Sequence, residues 1–189
     1  MILRSLPKLI FSDLLVLDAE NNLELNWDEM ELILFIKKAL DDLYDNDSHL
    51  IKIKAHERSL VFRFGLYFND LLIEKSYFSG FDLDFDYNRD RNNPKRLKND
   101  HNRIFPDLIL HKRGNNNNNI LVLEFKTHWN ENNSDDLNKL KELTSPKQQY
   151  HYKLGISIVL GEKSEQCKFV YVKAGKILKN LLILSKGGL

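Results

Sequence analysis

The sequence is poor in cysteine and lacks long apolar runs. Cys167 is the only cysteine among 189 residues, so neither an intrachain disulfide nor a zinc site built from several cysteines can form. No stretch approaches the roughly 20 apolar residues of a membrane-spanning helix, and Asp13 interrupts the apolar N-terminal stretch in which a signal peptide would continue. We therefore expect a protein of the reducing cytoplasm that does not enter a membrane.

The composition is that of an ordinary globular protein, with 42% hydrophobic and 29% charged residues, and the chain is long enough for one sizeable core. The net charge of +1 is divided unevenly. Residues 1–48 hold 11 acidic and 4 basic side chains, a net charge of −7, and residues 49–189 hold 16 acidic and 24 basic ones, a net charge of +8. The basic part predicts a polyanionic partner, because lysine and arginine gain from neutralising phosphates, although unevenly scattered surface charge gives the same totals. We therefore expect an acidic N-terminal segment, 1–48, that docks a protein partner or a second copy, and a domain at 49–189.

Two amphipathic helices are predicted in the first half of the chain. Asn26 followed by Glu29 is a capping box, and apolar residues then recur at helical spacing, which predicts a helix over residues 27–44. A second helix is predicted over residues 55–74, with Leu60 and Phe64 on its apolar stripe. The acidic segment thus contributes one helix and the domain begins with another.

The second half of the chain predicts strands around one further helix. Apolar runs or alternating patterns predict strands at residues 81–89, 104–111, 120–126, 154–160 and 169–172. A short helix begins at Ser134 and ends before Pro146, while the last dozen residues fit a helix or a strand equally. This order predicts an α/β (α+β) fold in which helices flank a mixed central sheet.

Charged residues interrupt the two strands that the turn of Gly114 and five asparagines joins. Glu124 and Lys126 lie two residues apart, so they project from the same face of their strand, about 7 Å apart. A hairpin whose paired positions sum to about 232 places Asp107 opposite residue 125, and a slip of one residue places it opposite Glu124 or Lys126. Two neighbouring, partly buried carboxylates repel each other unless a cation lies between them, and Mg²⁺ prefers such oxygen ligands.

Pro106–Asp107, followed after sixteen residues by Glu124–Lys126, resembles the motif of the PD-(D/E)XK, or restriction-endonuclease-like, nuclease superfamily. The resemblance covers roughly residues 55–160 and implies a restriction-endonuclease-like core that hydrolyses phosphodiester bonds with Mg²⁺ or Mn²⁺. Glu57 resembles the glutamate that many members carry on the helix before the sheet, although a glutamate in a first helical turn also interacts well with the helix dipole. The resemblance implies that Asp107, Glu124 and Glu57 hold the metal and that Lys126 orients the attacking water.

The expected substrate is nucleic acid, with DNA favoured over RNA, in defence, repair or mobile-element biology. The polar loop at residues 88–103 carries six arginines or lysines against two aspartates, and two more cations follow the next strand. These cations are the predicted contacts to the phosphate backbone: Arg89, Arg91, Lys95, Arg96, Lys98, Arg103, Lys112 and Arg113.

Two other interpretations of the charged residues stay open. In the first, the chain is a catalytically silent module for nucleic-acid binding or assembly that keeps the nuclease scaffold. In the other, Glu124 and Lys126 form a salt bridge in an unrelated α/β domain, and Asp107 accepts a hydrogen bond from the backbone. Buried ion pairs stabilise proteins poorly, so the second interpretation lacks a physical reason for the cluster.

Overall fold

The computed structural model describes residues 14–18, 23–97, 103–130, 134–179 and 181–185. Its helices are α1 (Trp27–Lys52), α2 (Glu57–Ile73) and α3 (Ser134–Thr144). Its strands are β1 (Leu14–Asp18), β2 (Leu23–Leu25), β3 (Asp82–Phe85), β4 (Arg89–Asp90), β5 (Asn93–Pro94), β6 (Leu108–His111), β7 (Leu121–Thr127), β8 (Leu154–Leu160), β9 (Lys168–Lys173), β10 (Lys176–Ile177) and β11 (Leu181–Ser185). None of these three helices is both long and apolar enough to cross a bilayer.

The capping box predicted at the start of α1 is confirmed. The side chain of Asn26 accepts a hydrogen bond from the Glu29 amide at 2.9 Å, and the Glu29 carboxylate accepts one from the Asn26 amide at 2.8 Å. The helix continues beyond the predicted end at residue 44 and bends at Asp47, whose φ and ψ of −123° and 20° are not helical. The predicted boundary between residues 48 and 49 therefore falls inside α1.

Six strands form the central sheet in the order β10-β9-β8-β7-β6-β3. Strands β7 and β8 are parallel, whereas the other neighbours in this sheet are antiparallel. The prediction of an α/β fold with a mixed sheet is therefore confirmed. Within the C-terminal segment that fitted either a helix or a strand, residues 181–185 form β11, which pairs with β1 in a separate three-stranded sheet.

Apolar side chains cover both faces of the central sheet. One face packs against α1 and α2, where the rings of Phe64 and Phe125 lie 5.0 Å apart. On the other face Val122 belongs to a second cluster with Leu140 of α3. Because α3 connects the parallel strands β7 and β8, it must return across the sheet, and its first turn lies near the end of β7. This crossover brings polar residues of α3 to the charged end of β7.

Candidate active site at the end of the central sheet

The pairing of β6 with β7 places the two predicted acids opposite each other. Leu108 pairs with Leu123, and the same register carried back by one residue sets Asp107 against Glu124. Paired positions therefore sum to 231, which is the one-residue slip of the expected register. Along β7, Glu124 and Lys126 alternate with the buried Phe125, so both project towards α3. The structure thus brings Asp107, Glu124 and Lys126 to one face at one end of the sheet.

Asp107 is held by the backbone of the neighbouring strand. The Phe125 amide donates a hydrogen bond to Oδ2 of Asp107 at 2.7 Å. Burial raises the pKa of this carboxyl from 3.8 to about 6, although the hydrogen bond and the nearby Lys139 act in the opposite direction. Glu57 adds to the increase of the pKa because its negative charge repels that of Asp107. The folded protein therefore pays an energetic cost for keeping Asp107 ionised at neutral pH.

Glu124 is the most deeply buried of the acids, with 1% of its surface exposed. Its Oε2 lies 2.6 Å from Nζ of Lys139, whereas Oε1 is buried with no hydrogen-bond partner in the protein. Burial raises the pKa of Glu124 well above 4.5, and Asp107 adds to the increase while Lys139 opposes it. A buried carboxylate oxygen without a donor is costly, and either protonation of the carboxyl or a cation beside it would lower this cost.

Lys126 and Glu57 join α2 to the end of β7. Nζ of Lys126 lies 3.4 Å from Oε1 of Glu57 and 3.0 Å from Oδ2 of Asp136, and it donates to the Phe125 carbonyl at 3.1 Å. Although burial alone would lower the pKa of Lys126, the hydrogen bond and charge of Asp136 hold it above 10.5. Oε2 of Glu57 is buried without a hydrogen-bond partner. Glu57 therefore lies beside Lys126 at the cluster, and Lys126 is held as a cation.

Two residues of α3, Asp136 and Lys139, complete the cluster and were not among the predicted site residues. Their spacing of three residues puts both on one side of α3, where Lys139 also lies 3.4 Å from Oδ1 of Asp136. A crossover helix between two parallel strands was the signal that could have identified them, because its first turns lie near the end of the preceding strand.

The acids of this cluster suit a hard divalent cation in chemistry and in charge. Four carboxylates meet two lysines, which leaves an excess of two negative charges when all six groups are ionised. Mg²⁺ commonly takes only one or two protein carboxylates, and the buried Oε1 of Glu124 is a ligand atom without a protein partner. Within the described ranges, however, no three acidic, histidine or cysteine side chains are grouped closely enough to hold a metal. Binding of a cation by Asp107 and Glu124, with or without Glu57 as a third ligand, therefore stays a prediction.

The predicted phosphate contacts Lys112 and Arg113 lie at the other end of the hairpin. Five residues of extended chain separate Asp107 from Lys112, about 17 Å. The Arg113 guanidinium contacts the carboxylates of Asp82 and Asp84, and it donates to Oδ2 of Asp84 at 2.8 Å. These two cations are therefore remote from the acidic cluster.

Lys95 was predicted to contact the phosphate backbone, but this prediction is wrong because only 1% of Lys95 is exposed. Its amine donates to the Tyr152 hydroxyl at 2.9 Å and lies 5.2–5.6 Å from the ring centroids of Tyr87, Tyr150 and Tyr152. Cation–π attraction to three rings compensates for part of its lost hydration. The other described cations of the loop are exposed: Arg89, Arg91, Arg96 and Arg103. Lys98 lies outside the described residues.

We expect Lys95 to make stability depend on pH in the alkaline range. Burial lowers the pKa of Lys95 from 10.5 to about 8, although Asp90 and Asp84 oppose the change. Between these values the unfolded chain binds more protons, so the contribution of Lys95 to stability rises with pH, by at most about 1.4 kcal/mol per pH unit. In urea unfolding, the wild type should gain stability relative to Lys95→Met between pH 7.5 and 10.5. Replacing the exposed Lys153 by Met should give no such trend. If the difference in the free energy of unfolding between wild type and Lys95→Met does not change with pH, the pKa of Lys95 is not lowered in the folded protein.

The function of this cluster is inferred from its own side chains and their contacts, because the comparisons with known proteins found no match. No protein-family model, curated protein or solved structure matches the sequence or the fold.

Proposed function

We propose that this chain is a metal-dependent nuclease with a restriction-endonuclease-like core, which hydrolyses phosphodiester bonds of nucleic acid and favours DNA over RNA. The observation that carries the proposal is the convergence of Asp107, Glu124 and Lys126 at one end of the sheet, with an excess of carboxyl groups over amines around them. A purely structural cluster would gain nothing from this excess, because uncompensated buried charge destabilises a fold. A divalent cation that serves phosphodiester hydrolysis would compensate for the excess of acidic groups.

Asp107 and Glu124 are the residues that would hold the cation. Their carboxylates are ligands that Mg²⁺ and Mn²⁺ accept. A bound divalent cation supplies positive charge that stabilises a phosphate during displacement. A cation bound through Oε1 of Glu124 would leave the contact of Lys139 with Oε2 in place, whereas a cation bound through both oxygens would replace Lys139, which is the counter-ion of the metal-free protein. Both carboxyls, whose pKa values burial has raised, would then ionise more readily.

Lys126 is the cation that stays beside the reacting phosphate. Its amine lies between Glu57 and Asp136, which keep it protonated and limit its movement. A fixed ammonium group stabilises negative charge that develops on a phosphate oxygen or orients the attacking water. In this proposal Glu57 and Asp136 are positioning residues for Lys126.

The test is a cleavage assay on linear duplex, closed circular and single-stranded DNA, with Mg²⁺, Mn²⁺ or a chelator. We expect cleavage only with a divalent cation, and we expect Lys126→Ala to reduce its rate by roughly 10²–10³-fold, as removal of one stabilising donor does elsewhere. The matched control is Lys153→Ala, since Lys153 is exposed and precedes β8 at the end of the sheet away from the cluster. Cleavage that proceeds equally in wild type and Lys126→Ala would place the activity elsewhere.

One observation favours a second candidate, the catalytically silent binding or assembly module. Lys139 already pairs with Glu124 at 2.6 Å, so the cluster has a counter-ion of its own. This candidate requires that the protein bind nucleic acid or a protein partner without cleaving any of the substrates. A partner for the acidic segment and a cytoplasmic location also stay predictions.

A further inference from the structure

A cavity of about 350 Å³ lies next to the acidic cluster on the side of α2 and β3. Its lining consists of Arg58, Val61, Phe62, Phe85, Asp86 and Asp107. The volume is at the lower end of the range for small-molecule sites, about 300–1,000 Å³. Because Asp107 belongs both to this wall and to the acidic cluster, a group bound in the cavity would lie beside the proposed point of cleavage.

Phe62 gives the cavity an aromatic surface that the fold leaves in water. Phe62 is 52% exposed, whereas Val61 and Phe64 of the same helix are buried in the core. One side of its ring lies against Phe85, with centroids 5.9 Å apart. Leaving half a phenylalanine in water forfeits about 1 kcal/mol of burial free energy, so the exposure favours a ligand that covers the ring.

Gly65 fixes the position of Phe85 and thereby the floor beneath Phe62. A Cβ atom at Gly65 would lie 1.9 Å from Cζ of Phe85, which shows that the ring packs directly on the backbone of α2. Only a glycine permits this approach. The aromatic floor is consequently part of the packed fold.

Arg58 provides a cation at the mouth of the same cavity. It precedes Phe62 by four residues, so both lie on one side of α2. Its side chain is 74% exposed, and Nε lies 3.3 Å from Oδ2 of Asp86. An exposed ion pair of this kind contributes little to stability, so Arg58 can exchange Asp86 for a phosphate at small cost.

We propose that this cavity binds one unpaired nucleobase, which stacks on Phe62 while Arg58 contacts the adjacent phosphate. The inference rests on the proposed nuclease function and defines its substrate class as single-stranded nucleic acid or a strand with an unpaired nucleotide at the cleavage point. Aromatic stacking accepts any base, whereas a base inside a duplex is stacked on both faces and has none free to contact Phe62. The site therefore selects for unpaired structure and not for sequence.

The test measures binding without cleavage, by fluorescence anisotropy of a short labelled single strand and its duplex in the presence of a chelator. We expect the wild type to prefer the single strand and Phe62→Ala to weaken single-strand binding by about 5- to 150-fold, the equivalent of 1–3 kcal/mol of stacking. Phe62→Trp should preserve the affinity, and its own fluorescence should be quenched by the bound strand. The matched control is Ile73→Ala, because Ile73 is 73% exposed and lies about 16 Å further along α2.

The outcomes separate this inference from the nuclease proposal. Divalent-dependent cleavage of duplex DNA with equal single-strand affinity in wild type and Phe62→Ala would retain the nuclease and overturn the base site. Phe62-dependent single-strand binding without cleavage in Mn²⁺ would retain the base site and overturn the nuclease. A change from dimer to monomer in Phe62→Ala, with unchanged single-strand affinity, would assign the exposed ring to a protein interface and overturn the inference.

Discussion

Replacement of Asp107 by Asn should abolish divalent-dependent cleavage and at the same time make the folded protein more stable at neutral pH. Loss of a metal ligand should reduce the rate by more than about 100-fold, since even changes to the partners of ligands cost 10–100-fold. The asparagine side chain retains an oxygen for the hydrogen bond that the Phe125 amide donates to Asp107. The variant therefore removes a buried charge without removing this contact.

The gain in stability follows from the direction of the pKa change. Burial raises the pKa of Asp107 from 3.8 to about 6, so its neutral form stabilises the fold fully below pH 4, and this contribution is lost as pH rises through 6. At pH 7.5 the wild type keeps an ionised Asp107 that the variant lacks. We expect Asp107→Asn to gain on the order of 1–3 kcal/mol at pH 7.5 and little at pH 4.

Urea unfolding at pH 4 and pH 7.5 measures this difference, and cleavage assays measure the activity. Asp70→Asn is the matched control, because Asp70 is exposed on α2 and its replacement should change neither quantity. Equal stability of wild type and Asp107→Asn at both pH values would mean that folding does not raise the pKa of Asp107. Full activity of Asp107→Asn would exclude it from the site.

Replacement of Lys139 by Met should destabilise the metal-free protein more than any other change to the cluster. The methionine has a similar length, but it leaves Glu124 buried without its counter-ion. Breaking a buried ion pair in this way typically costs about 3–5 kcal/mol. The double variant Lys139→Met with Glu124→Gln should recover much of the loss, because no unpaired charge then remains.

The same variant tests where a divalent cation binds. If the ion takes the place of Lys139 beside Glu124, Mg²⁺ or Mn²⁺ should raise the melting temperature of Lys139→Met more than that of the wild type, by linkage of binding to folding. Lys141→Met on the same helix is the control and should behave as the wild type. An equal effect of the ion on all three proteins would locate its binding away from Glu124.

In the hairpin of β6 and β7, the sequence pattern predicted the faces of the side chains but not the exact register. The spacing of Glu124 and Lys126 put both on one face, because side chains in a strand alternate. The register was one residue away from the first expectation, because the turn of Gly114 and five asparagines does not fix how the strands pair. The convergence with Asp107 was nevertheless predicted, since either register brings it within reach of Glu124.

Lys95 shows where a local pattern failed. A run of arginine, lysine and asparagine is usually solvated, so all six cations of the loop at 88–103 were predicted to contact phosphates. Tyr87, eight residues before Lys95, and Tyr150 and Tyr152, more than fifty residues after it, surround the Lys95 amine. No short-range periodicity encodes such a cage, because its members meet only after the sheet has formed.

The sequence by itself determined the capping box of α1, the alternation along β7 and the mixed α/β class, because hydrogen bonding and side-chain periodicity act over a few residues. Only the tertiary structure decided that Lys139 pairs with Glu124, that Asp136 holds Lys126, and that β11 returns to β1. These contacts join residues at least ten positions apart in the chain. They form only when the crossover of α3 and the packing of the sheet have brought their elements together.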